Sequence, residues 1–439
     1  MDETHVVTCF LRNRGEVLLL RRSEEVGSYA GLWGGVAGHA EGNPDVAARE
    51  EIAEETGLLD ACTLAREGVT FEFADEDLGT RWVVHPYLFD CERRDAEVDW
   101  ETAEFEWVHP TEILRRESVP QLWTSYSRVA PSVSQVAEDT EHGSAYLSVR
   151  ALEVLRDRAG SFAVQGSGGW SPLVALADAL REARPSMAAL GNRVDRAMAE
   201  ASERRIPEAV ERAAREGIER AYRADEAAAE NAAAEIRGET VLTLSRSGTV
   251  LDALGGAEHV FVAESRPARE GVGVAEELAR ECRVTIHTDA AVAHVLATED
   301  VDAVVVGADA VLPDGRVVNK TGTRAAASAA AREGVPVYAV AAADKIRTDG
   351  AVHLEAGDPE AVYDGDAAVE VLNPTFDATP ADLVSGVITE RGVLDEEEIS
   401  AVVSELRGLS GWREDGEGGE AKSEGEEEDS EDEEDEQEA

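Results

Sequence analysis

The sequence predicts a multidomain α/β protein, and three features carry that prediction. From Gly238 onward, short Val-rich runs alternate with helical segments, as in a doubly wound parallel sheet whose strands are buried on both faces. Before them, residues 144–237 are rich in Ala, Glu, Arg and Leu, with apolar positions at helical spacing. The first 116 residues instead combine hairpin-like strands with a single acidic helix, the pattern of a small mixed α/β domain.

Taken in order, residues 5–21, "HVVTCFLRNRGEVLLLR", predict two strands joined at Asn13-Arg14-Gly15, where glycine supplies the positive φ of a tight hairpin. Further strands are expected at 80–90 and 104–109, closing a domain over 1–116, with a linker at 117–140. A helical subdomain follows over 141–237; within it Ser171-Pro172 predicts an N-cap and a first-turn proline for the helix carrying Leu173, Leu176, Ala177 and Leu180. Strands at 240–245, 259–264, 283–288, 301–309 and 336–342 then build the parallel-sheet, Rossmann-like domain, 238–412. Beyond Trp412 the chain reads "EDGEGGEAKSEGEEEDSEDEEDEQEA", which lacks periodicity and repels itself. A disordered acidic tail is expected over 413–439.

The charge balance excludes some functions. With 92 Asp and Glu against 41 Lys and Arg, a formal charge of -51 leaves no basic face for nucleic acid or an anionic membrane, so any phosphate must be met locally. Cys9, Cys62, Cys91 and Cys282 form no C-x-x-C pair, which indicates neither a zinc site nor a disulfide framework. The start has no basic n-region and no apolar run reaches membrane-spanning length, so a cytoplasmic protein is expected.

The stretch Glu50–Asp60, "EEIAEETGLLD", sets carboxylates on a helix that stops at Thr-Gly-Leu. With the Gly-rich loop before it, "GGVAGHAEGNPDVAAREEIAEETGL" resembles the Nudix box, G-x5-E-x7-R-E-U-x-E-E-x-G-U with U apolar. Two registers compete, because one residue is inserted. Read from the front, Gly35, Glu41, Arg49 and Glu50 fit; read from the back, Glu51, Ile52, Glu54, Glu55, Gly57 and Leu58 fit. Glu51, Glu54 and Glu55 lie at i, i+3 and i+4 on one helix face, which favours the rear register and puts Glu50 at the family's Arg position. The resemblance implies an α/β/α sandwich and a catalytic Mg²⁺ or Mn²⁺ site on Glu51, Glu54 and Glu55. A hard cation of this kind keeps several waters and completes its shell with substrate phosphates, here of a diphosphate-containing small molecule. Glu104 is a weaker candidate base, Trp33 and Trp107 are candidate stacking residues as well as core, and His39 is a loop residue.

The segments "TLSRSGTVLDAL", "VAESRPAREGVGVAEELA", "TIHTDAAVAHVLA", "VVVGADAVLPDGRVVNKTGT" and "NPTFDATPADLVSGVITERGVL" occur in the order seen in a second family. They resemble the alpha, beta and delta subunits of translation initiation factor 2B and the methylthioribose-phosphate and ribose-bisphosphate isomerases, over roughly Glu141 to Trp412. Independently of that likeness, Ser245, Ser247, Gly248, Arg266, Asp309, Asn319 and Lys320 all fall at or near strand ends, where ligands of doubly wound sheets bind. Of these, Ser245, Ser247, Gly248, Arg266, Asn319 and Lys320 are the expected phosphate and ligand contacts. The isomerases use a Cys and an Asp: Asp309 matches the Asp, while Ser245 stands at the Cys position. His142-Gly143 stands where they have Arg-Gly, and Trp170-Ser171-Pro172 replaces their Arg-Pro-Thr. Serine is a far weaker acid than cysteine, so a binding domain for a phosphorylated sugar or nucleotide is expected. Two alternatives stand beside it: an isomerase with Asp309 catalytic, and a non-enzymatic binding protein of the initiation-factor type. The resemblance also implies a homodimer through the C-terminal domain.

Basic residues are nearly all Arg, with Lys only at 320, 345 and 422, and the composition is similar to that of salt-adapted archaeal proteomes. Carboxylate repulsion of this density is tolerable where molar salt cuts the Debye length to about 3 Å. A thermal melt followed against KCl should therefore show the midpoint rising with salt, and a midpoint indifferent to KCl would refute the reading.

Overall fold

A computed structural model describes residues 2–40 and 42–413. Glu41 of the front Nudix register and residues 414–439 of the expected tail lie outside the described residues. The N-terminal domain is built on strict strand alternation. β1 (Asp2–Asn13) and β2 (Glu16–Arg22) form the expected hairpin, and both Arg14 and Gly15 take positive φ, 50° and 79°. β3 (Trp33–Gly34), β4 (Val36–His39), β5 (Cys62–Glu67), β6 (Phe71–Asp75), β7 (Thr80–Cys91) and β8 (Thr102–Val108) complete an eight-stranded sheet in which β1 and β7 run parallel. Val7, Cys9 and Leu11 pack towards helix α1 (Pro44–Thr56), whereas Phe10, Leu88 and Leu19 pack towards α2 (Leu122–Ser127). Residues one apart on a strand face opposite ways, so one sheet fills two cores and the α/β/α sandwich follows.

The segment 117–140, read as a linker, folds as α2 and α3 (Val133–Glu138), and α2 covers one face of the sheet. The helical subdomain comprises α4 (Ser144–Gln165), α5 (Trp170–Ala183), α6 (Ala188–Ala201) and α7 (Pro207–Glu235). The N-cap expected at Ser171 is displaced: α5 starts at Trp170 with Gly169 as its cap, and Pro172 occupies the third position. The first four N–H groups of a helix have no internal partner, so proline costs nothing there.

The C-terminal domain holds β9 (Thr240–Leu244), α8 (Gly248–Leu254), β10 (His259–Ala263), α9 (Glu270–Leu278), β11 (Arg283–His287), α10 (Val292–Thr298) and β12 (Ala303–Gly307). It continues with β13 (Ala310–Val311), β14 (Val317–Lys320), α11 (Thr323–Glu333), β15 (Val337–Val340), β16 (Phe376–Thr379), β17 (Gly386–Thr389), β18 (Gly392–Leu394) and α12 (Glu396–Gly408). The main sheet runs β11-β10-β9-β12-β15-β17-β18, parallel except for β18. Strand order reverses between β9 and β12, so their carboxyl ends form the switch point at which sheets of this kind bind ligands. All five residues of β10 and of β12 are buried. Burial on both faces fails at β11, where Ile286 is 45% exposed, because that strand lies at the sheet edge. Among the described residues no helix is long and apolar enough to cross a membrane.

The two modules meet along α4, 14 of whose 22 residues are buried, including Arg150, Glu153, Arg156 and Asp157. Arg12 of β1 holds Asp90 with two hydrogen bonds, 2.7 and 2.9 Å, and reaches Glu153 at 3.2 Å and the Tyr146 hydroxyl at 2.9 Å. Arg150 adds a second cation 3.1 Å from Glu153. Arg156 donates to the carbonyl of Gly15 in the hairpin turn, and Tyr126 of α2 donates to Asp157 at 2.8 Å. Further along, Glu211 of α7 accepts from Arg115 and Thr111. Removing one partner of such a buried pair leaves the other charge uncompensated. Glu153→Ala should therefore cost about 3–5 kcal/mol of stability, read by denaturant unfolding in molar KCl; a loss under about 1 kcal/mol would show that the network is not what joins the modules.

Candidate functional site

The acidic helix is built to hold its carboxylates against a loop. Asn43 caps α1 by accepting from Asp45 N–H, Pro44 opens it, and Gly57 closes it in the left-handed region at φ 65°. Ala48 and Ile52 are fully buried beneath it, which turns Glu55 inward and leaves Glu54 exposed. The Gly-rich loop comes too close for side chains: a Cβ on Gly38 would lie 1.8 Å from a Glu51 carboxylate oxygen, and one on Gly35 would lie 2.9 Å from the Cys9 carbonyl. Burial pushes Glu55 up to about 8, with repulsion from Glu51 second; Glu51 is raised by burial and then by Glu54 and Glu101. An all-carboxylate set whose members are held close enough to repel one another suits a hard divalent cation. Among the described residues no group of three or more His, Cys, Asp or Glu side chains is placed to hold a metal ion.

The cation acting on Glu55 is Arg22 of β2, whereas Arg49 and Glu50 are exposed. Arg22, Asp99 and Glu101 were not legible in the sequence, since they come from a strand and a loop with no motif of their own. Glu104 is paired with Arg21 at 2.9 Å. Trp33 lies under Arg116 and Trp107 donates to the Arg94 carbonyl. Beside Glu51 a cavity of about 420 Å³ is lined instead by Trp82, Phe71, Phe73, Tyr29, His39 and Trp100, with Arg22, Glu101 and residues 119–122 and 125.

In the C-terminal crevice, Ser245 at the end of β9 takes φ 61° and its N–H donates to Ser265, itself at φ 62°. Asp289 fixes the next turn by accepting from the N–H groups of Ser265 and Arg266. Ser247 caps α8 and abuts β12, for a Cβ on Gly307 would come 2.9 Å from its side chain and 3.8 Å from Asn319 Oδ1. Asn319 is tied to Thr323 and Lys320 to Glu270. Arg266 is turned to solvent and pairs with Glu264.

Asp309 is raised by burial, opposed first by Lys345 and then by Lys320. Lys345, only 4% exposed, is lowered by burial and partly rescued by Asp309. Sequence reading missed Lys345, because its loop is held from elsewhere: Asn192 of α6 donates to the carbonyls of Asp344 and Ile346, and Arg193 pairs with Asp344. Ser144, at the N-terminus of α4, is also near Asp309; its hydroxyl tends to lower that carboxyl yet lies outside hydrogen-bond geometry with any partner.

Fold and sites together define a two-module class of protein, a carboxylate-bearing α/β/α sandwich joined to a helical subdomain and a Rossmann-like sheet with a crevice at its switch point. The chain belongs to the Initiation factor 2 subunit family, whose model matches residues 140–396, and it carries a NUDIX domain at residues 2–129. It is similar to a ribose 1,5-bisphosphate isomerase of Haloferax volcanii, 32% identical over 306 residues covering 64% of this chain and 94% of that protein. A methylthioribose-1-phosphate isomerase of Pseudomonas fluorescens is 38% identical over 156 residues, and the match spans 42% of that relative and 32% of this chain. Among solved structures, the translation initiation factor eIF-2B of Pyrococcus horikoshii superposes with a TM-score of 0.52 at 26% identity, over 60% of this chain and 94% of that one. A chain of the tetrameric eIF2B-beta2-delta2 complex of C. thermophilum shares the fold, with a TM-score of 0.51 at 19% identity over 67% of this chain and 98% of that one.

Proposed function

We propose that the N-terminal domain is a Mg²⁺- or Mn²⁺-dependent pyrophosphohydrolase of a nucleotide-type diphosphate, and that the C-terminal module binds a phosphorylated sugar or nucleotide without isomerising it. The observation that carries the first half is the pressing of Glu51 and Glu55 against a glycine loop beside a cavity. Glu51, Glu54 and Glu55 would hold the ion, which when bound neutralises a diphosphate and acidifies an attacking water. Arg22 offers a fixed positive charge in the same cavity, and Glu101 is the carboxylate available there to accept a proton.

For the crevice, Ser245 in place of a thiol removes the better acid, while Ser247, Gly248, Asn319 and Lys320 remain to meet a phosphate. Asp309 with its buried partner Lys345 favours the second reading, a sugar-phosphate isomerase in the manner of the Haloferax relative. Isomerase turnover by the wild-type chain would establish it; a silent wild type with activity gained by Ser245→Cys would support the binding reading. A role in translation initiation as a pure binding protein rests on fold analogy. Pairing of two copies through the sheet domain is supported by the exposed β11 edge and by Leu372, 89% exposed, and a monomeric mass in molar KCl would reject it.

The decisive assay is phosphate and nucleotide release from nucleoside diphosphate sugars, dinucleotides and nucleoside triphosphates, with Mg²⁺ in high KCl. Turnover should fall about 100-fold or more in Glu54→Gln, since even supporting groups of metal sites cost about 10–100-fold when removed. Glu54 is exposed, so folding should survive the change. A folded wild type that turns over nothing on the panel would overturn the hydrolase.

A further inference from the structure

Cys62 opens β5 and Cys91 closes β7, and the two stand directly opposite each other in an antiparallel ladder. The ladder also fixes which kind of pair they make. Glu92 donates its N–H to the Ala61 carbonyl at 3.0 Å, one residue outside the pair on each strand, so Cys62 and Cys91 occupy a non-hydrogen-bonded site. Opposed residues in such a site have Cα atoms about 4.5 Å apart and side chains on one face of the sheet. That separation lies inside the window a disulfide spans, about 4.4–6.8 Å. Both side chains turn to the face beneath α1, where Cys91 is 4% exposed in the core and half-buried Cys62 packs against it.

Both cysteines are free thiols, and they interact. A hydrogen bond with Cys62 brings the Cys91 thiol down to about 7 against the effect of burial, with Arg93 adding to the shift; the same bond raises Cys62. Cys9 and Cys282 are set up differently. Cys9 is fully buried and raised first by that burial and then by Glu55 and Glu51, and Cys282 is raised by burial. The Cys62 and Cys91 pair also borders the joint between the modules. Asp90, which precedes Cys91, is held by Arg12, and the Cys91 carbonyl accepts from Asn13 of the hairpin turn at 2.8 Å. Cys62 in turn follows Leu59–Ala61, the short turn that leads away from α1.

We infer that Cys62 and Cys91 are a redox modification site, at which a hydroperoxide oxidises the dithiol to an intrachain disulfide that locks the exit of α1 onto the strand end carrying Asp90. The ionised sulfur of the pair attacks one peroxide oxygen and the O–O bond breaks. That sulfur becomes a sulfenic acid, and the other oxygen leaves as water or an alcohol. The second sulfur, as thiolate, then displaces the sulfenic oxygen as water and the S–S bond forms. Two thiols lose two electrons and two protons, and the hydroperoxide takes up both. A dithiol reductant reverses the change by exchange. The site does not depend on which ligand either module takes.

The test is exposure of the folded full-length chain to hydrogen peroxide in molar KCl, followed by thiol counting under denaturing conditions and peptide mapping. Two of the four thiols should disappear together and reappear as one cross-linked peptide joining Cys62 to Cys91, and dithiothreitol should restore both. Cys9 should react about tenfold or more slowly, since its smaller thiolate fraction is only partly offset by greater nucleophilicity. Oxidation should also raise the thermal midpoint, because a bridge closing the loop from 62 to 91 restricts the unfolded chain. The rise should vanish in Cys62→Ser, a half-buried position that tolerates the change. Four thiols surviving peroxide, one cysteine of the pair driven past sulfenic acid while the other stays free, or a bridge between two chains would overturn the site. A bridge that forms only after unfolding would do the same, and one that lowers the midpoint would refute the lock.

Discussion

The charges buried along α4 are the constraint on which the rest of the architecture depends. A helix buried on nearly all sides normally carries apolar residues, and one that carries Arg150, Glu153, Arg156 and Asp157 needs a partner for each. Those partners come from both modules: Arg12, Asp90 and the Gly15 carbonyl from the sandwich, Tyr146 from α4 itself and Tyr126 from α2. Apolar packing alone would let two domains slide, whereas directional bonds in a low-dielectric contact specify one orientation. The hairpin turn is pressed in as well, since a Cβ on Gly15 would come 2.9 Å from Ile218 of α7.

The helical subdomain is therefore shared between two tasks. Its α4 docks the sandwich, and its first residue, Ser144, lies near Asp309 in the crevice. Its α6 clamps the 344–346 loop and so keeps Lys345 buried beside the same aspartate. A lysine buried this deeply is tolerated because Asp309 offsets part of its desolvation.

The N-terminal site follows the opposite strategy. Glu51 and Glu55 are brought together with little positive charge near them beyond Arg22, which concentrates negative charge on this part of α1. The loop glycines at 35 and 38 are there because backbone and carboxylate approach too closely for any side chain. The rear register of the acidic motif agrees with the packing: Ile52 and Leu58 are fully buried and Gly57 takes the left-handed cap.

Elements set by local rules were legible from the chain alone. The hairpin at residues 13–15, the stop of α1 at Gly57, the five Val-rich strands and the helical spacing of residues 144–237 each depend on neighbours a few positions apart, so composition and periodicity reveal them. The helical spacing of Glu51, Glu54 and Glu55 was legible for the same reason, whereas their separation into half-buried Glu51, exposed Glu54 and buried Glu55 was not. What required tertiary structure were residues joined only by folding: Arg22, Asp99 and Glu101 beside the acidic helix, Trp82 and Ser125 in the cavity, and Lys345 beside Asp309. Trp33 and Trp107, read as core residues first and stacking residues second, pack partly buried against the cores, with Arg116 over the one and the Arg94 carbonyl accepting from the other. The sequence by itself determined the two modules, their chemistry-bearing helix and their strand ends, because these arise from local pattern. Only the tertiary structure decided that segment 117–140 is part of a cavity wall and that α4 carries the joint, since both depend on contacts between residues from β1 to α7 that no spacing encodes.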